Sequence, residues 1–63
     1  MHSYIVNGYD RALGAIGIQE RWSQVVQANS ESDAKEQARV IRYASGREHV
    51  HCYHVQLLKP ENH

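Results

Sequence analysis

Between Ser30 and Gly46 the sequence spells one helix, and that helix decides most of what the remaining residues can do. A serine at the N-cap accepts a backbone N–H that has no partner inside the helix, and Ser30 is placed for that role. Asp33 sits three residues on, an aspartate version of the capping box. Ala34, Ala38 and Ile41 fall at i, i+4 and i+7, flanked by Val40 and Ala44, which predicts one narrow apolar stripe. Gly46 follows as the stop. A stripe made largely of alanine lets a helix lie close to a sheet, and Trp22 is the side chain large enough to fill the space the alanines leave.

The flanking segments read as strands. Ser3–Tyr9 is β-branched and aromatic, with Gly8 and Asp10 marking its end. Ile18–Ala28 alternates, placing Trp22, Gln24, Val26 and Ala28 on one face and Arg21, Ser23, Val25 and Gln27 on the other. Glu48–Leu58 makes the third strand, after which Lys59 and Pro60 discourage further pairing. Between the first two strands, Asp10–Gly17 is either a wide hairpin loop or a single helical turn capped by Asp10. The order ββαβ predicts an α+β fold over residues 1–63. It is a small two-layer sandwich, one helix on one face of a three-stranded antiparallel sheet, with the return strand pairing to an edge of the hairpin.

At 63 residues without phenylalanine, the core must be thin, and a core this thin gains stability from dimerisation or an obligate partner. The single cysteine, Cys52, has no partner for an internal disulfide, which favours a reducing, cytoplasmic setting. No apolar run approaches a membrane span, no basic-then-apolar leader opens the chain, and no cofactor motif is present. Lys plus Arg and Asp plus Glu are 7 each, so the formal charge is zero, which argues against a general polyanion binder.

Four clusters compete for function. His49, His51, Cys52 and His54 crowd one strand, where period-two alternation pairs His49 with His51 on one face and Cys52 with His54 on the other. His49 and His51 make half of a zinc site, short of the three or four ligands zinc requires. Cys52 lacks the base and orienting carboxylate of a catalytic nucleophile, so an enzyme is not expected. Lys35, Arg39 and Arg42, at i, i+4 and i+7 with Arg47 beyond, form a basic stripe on the outer side of the helix that suits phosphates. The same stripe, preceded by acids, also suits the helix dipole alone. Leu13, Ile16 and Ile18, with Arg21 beyond them, sit around Gly14 and Gly17 as a protein-docking surface. Alternatively Leu13 or Ile16 plugs the core.

The run W-x3-V-x-A-x-S-x3-A, with Gly46-Arg47 at the helix end and a final strand, resembles the ββαβ repeating unit of archaeal ribosomal protein LX. The matching positions are Trp22, Val26, Ala28, Ala34, Gly46 and Arg47, and the resemblance implies an RNA- or ribosome-associated module. Where those proteins are basic in the last strand, this chain has His49, His51 and His54. The strand ending in A-x-S-x3-A is also similar to small phage-encoded proteins, including anti-CRISPR inhibitors, which implies occlusion of a host protein complex. The favoured expectation is therefore a non-enzymatic binding protein acting by occlusion or bridging, with RNA binding as the alternative and metal binding by the histidine strand behind it.

Overall fold

The computed structural model describes residues 1–14 and 17–58. Strand β1 (His2–Ala12), strand β2 (Glu20–Ala28), helix α1 (Glu31–Ala44) and strand β3 (Arg47–Leu57) follow in that order. All pairing is antiparallel and the sheet order is β2-β1-β3, so β1 is central and the return strand has joined its free side. The helix packs on one face. This is the α+β sandwich expected from the sequence.

The capping residues do what their chemistry predicts. The Asp33 N–H donates to Ser30 Oγ at 3.2 Å, and the Asn29 N–H donates to Asp33 Oδ2 at 3.3 Å. At the other end Gly46 takes φ +83°, a left-handed conformation that a Cβ would disfavour. The core holds Tyr4, Val6, Trp22, Val26, Ala28, Ala34, Ala38 and Val50, with Cys52 and Val55 against it. Ala34 and Ala38 are fully buried, as expected, but Ile41 is 39% exposed and so does not complete the stripe. Its place one turn beyond Ala38 is taken by Arg42, whose guanidinium lies 5.3 Å from the Trp22 ring centroid. The helix's inward line is therefore alanine, alanine, arginine.

Two boundaries and one face differ from expectation. Strand β1 runs on through Asp10, Arg11 and Ala12, so Asp10 neither ends the strand nor caps a helical turn. Gly8 lies mid-strand because nothing larger fits. A Cβ there would stand 1.8 Å from the His51 carbonyl oxygen and 2.6 Å from Trp22 Cζ2. Strand β2 begins at Glu20, leaving Ile18 outside it. In β3 the alternation assumed for the histidines is broken by two bulges: the register with β1 shifts between Asn7 and Gly8 and again between Tyr9 and Arg11. His51 stands opposite Tyr9 and His54 opposite Asn7. Both thus share the sheet face away from the helix, while Val50 and Cys52 pack inward. The expected grouping of Cys52 with His54 is undone by the extra residue at Tyr53. His49 adopts φ +54°, a left-handed conformation uncommon outside glycine, at the second of these shifts, between Tyr9 and Arg11.

Candidate functional site

Tyr4, Val6, Gly8 and Asp10 alternate along β1, so the fourth of them enters the helix-covered layer with its charge. Asp10 has no exposed surface. Arg42 Nε donates to its Oδ2 at 2.8 Å and Arg47 Nε donates to its Oδ1 at 3.0 Å. Arg47 also pairs with Glu20. Burial alone would push the Asp10 carboxyl up. The hydrogen bonds and charges of Arg42 and Arg47 outweigh that and hold it below the ordinary carboxylate value. The same bonds, from Glu20 first and then Asp10, raise Arg47. One cluster so ties the end of β1, the start of β2, the last turn of α1 and the start of β3.

Beyond this clamp lies the β1–β2 connection, of which Leu13, Gly14 and residues 17–19 are described. Leu13 is 70% exposed and Ile18 61% exposed, and Gly14 and Gly17 both take positive φ. The Leu13 N–H donates to the Gly46 carbonyl at 3.0 Å, fixing the base of the connection to the helix C-terminus. Leu13 and Ile18 are thus not core plugs; Ile16 lies outside the described residues. Arg21 is set apart from this tip on the uncovered sheet face, 6.0 Å from the Tyr9 ring centroid.

The basic stripe divides. Arg42 and Arg47 turn inward to Asp10 and are not on the outer side of the helix; only Lys35 and Arg39 remain outward, Arg39 3.6 Å from Glu36. They line a groove of about 590 Å³ between α1 and β3, with Tyr43 on the helix side and His49 to Cys52 on the strand side. Cys52 is half-buried there, and desolvation pushes its thiol up despite Arg39 and Lys35, which leaves it protonated and a poor nucleophile at neutral pH. Among the described residues no three His, Cys, Asp or Glu side chains converge to hold a metal ion, so His49 and His51 find no third ligand there.

The uncovered sheet face carries its own contacts. Ser23 Oγ donates to Asn7 Oδ1 at 2.6 Å, Arg11 Nε donates to Glu48 Oε2 at 2.9 Å, and the Tyr9 and Tyr53 rings stand 5.0 Å apart. The sequence reading missed both this tyrosine pair and the Asp10 clamp. The period-two run Tyr4, Val6, Gly8, Asp10 was a signal for the clamp, as was Arg42 at i+4 from Ala38. The tyrosine pair depends on the bulge and had no local signal. No protein-family model, curated protein or solved structure matches the chain, so the chemistry of these residues carries the functional reading. No helix among the described residues is long and apolar enough to cross a membrane.

Proposed function

We propose that this chain is a non-enzymatic protein-binding module that occludes or bridges a partner through the tip of its β1–β2 hairpin. Its concrete form is a phage or mobile-element inhibitor of a host complex. The observation that carries the reading is the exposure of Leu13 and Ile18 on a connection whose base is held by buried ion pairs. Apolar side chains in water are costly, and burying each in a partner contributes about 1.5–3 kcal/mol. Anchors held on a rigid base also lose less freedom on docking. The protonated Cys52 supports binding over nucleophilic chemistry. The RNA-binding alternative is weakened by the two arginines engaged with Asp10.

Replacing Leu13 and Ile18 together by serine tests the proposal. The immobilised variant should retain partner proteins from a host-cell extract at least about tenfold less than the parent, the equivalent of about 1.4 kcal/mol. Its melting temperature should stay within a degree or two. Equal retention would move the docking surface elsewhere. A large fall in melting temperature would make these side chains part of the core.

A further inference from the structure

Strand β3 is an edge strand, and the groove beside it is walled by four consecutive residues, His49 to Cys52. Side chains of a strand alternate between faces, so Val50, His51 and Cys52, three regular positions beyond the His49 bulge, line one groove together only when the wall is the strand's backbone edge. The direction of the peptide groups fits. The His51 carbonyl is turned to Gly8 of β1, so the N–H and C=O of Val50 and Cys52 on either side point to the free edge. The Val50 N–H meets Tyr43 Oη at 3.3 Å, a long bond from a side chain that stands in the groove. Bulges at His49 and Tyr53 interrupt the strand on both sides of this regular stretch. Opposite it, one turn apart on α1, stand Lys35 and Arg39, with Glu36 the one carboxylate in the lining.

We infer that the α1–β3 groove binds an extended, acidic peptide segment of another protein by strand addition. The peptide backbone pairs with Val50 and Cys52, and its carboxylates reach Lys35 and Arg39. Unpaired edge groups supply affinity, and the cations select the side chains. Tyr43 yields the Val50 N–H to the peptide and keeps its own hydroxyl to donate. This site is separate from the hairpin tip and stands whether or not the tip docks.

Selection from a displayed library of random linear peptides on the immobilised chain tests this, followed by amide chemical shifts of the labelled protein. Recovered peptides should be rich in Asp and Glu and should shift the Val50 and Cys52 amides on binding. K35E/R39E, at exposed positions, should fold normally and weaken them by about tenfold, while L13S/I18S should leave them unchanged. Recovery of neutral or basic peptides, binding insensitive to K35E/R39E, shifts confined to the hairpin tip or the uncovered sheet face, or no enrichment over blank support would each overturn the inference. Concentration-dependent protection of Val50 and Cys52 in the protein alone would also overturn it, by giving the edge to a second copy.

Discussion

Asp10 stands wholly out of water, where a carboxylate is tolerated only if its oxygens are met by well-placed donors, and Arg42 and Arg47 take one oxygen each. Asp10→Asn leaves the two guanidinium groups facing each other without the counter-charge. It should cost about 3 kcal/mol, at the lower end for a broken buried pair because both arginines keep some access to water. In a domain this small that is a fall in melting temperature of more than about 10 °C. The pH dependence follows from the sign of the shift. The folded carboxyl titrates below the unfolded value of 3.8, so its contribution is complete above that value and is lost as pH falls through the lower, folded one. The stability gap between parent and D10N should be constant from neutral pH to about 5 and close under more acidic conditions. Urea melts at a series of pH values measure it, and a gap that widens in acid would show that Asp10 is not held ionised by the arginines.

At the scale of the elements, helix α1 is what its residues are built for: a capped helix with alanines inward. Ala38 has no exposed surface, so Ala38→Leu forces the helix off the sheet and should cost about 1–3 kcal/mol. A thermal melt within a degree of the parent would mean that another helix face is packed. Helix and strands were legible because caps, glycine stop and period-two alternation are local patterns, whereas such patterns leave open which edge of the hairpin the return strand joins. The clamp and the bulges were not legible. Asp10 reads as a strand end because a glycine and an aspartate two residues apart signal a turn. Only the pairing of β1 with β3 brings Arg47 to it, and the helix supplies Arg42 from 32 residues away. The same blindness to distant partners left Arg42 on the wrong side of the helix. Exposure of Leu13 was legible as one of two outcomes. A 14-residue helix is about 21 Å long and an 11-residue strand about 36 Å, so one helix leaves part of the sheet's length uncovered. That is why Leu13 and Ile18 meet water.

For the whole molecule, the question is which kind of partner its charge permits. The 7 basic and 7 acidic residues cancel, but their pairing matters more than their sum. Arg42 and Arg47 face Asp10, Arg11 faces Glu48, and Arg39 lies near Glu36. Among the described residues Arg21 and Lys35 are the cations without a carboxylate partner, and they lie on different sides of the fold: Arg21 on the uncovered face, Lys35 on the helix. Among the described residues, a single RNA strand therefore meets at most Lys35 and Arg39 along one groove. Two phosphate contacts correspond to a salt slope of about −1.4, at about −0.7 each on a single strand. So shallow a dependence supplies little binding energy, and affinity for single-stranded RNA at physiological salt should be weaker than micromolar. Fluorescence anisotropy with a labelled RNA at several salt concentrations measures this directly. Submicromolar binding with a slope steeper than about −3 would require four or more phosphate contacts. The Asp10 clamp would then have to release its arginines, and D10N should tighten the complex.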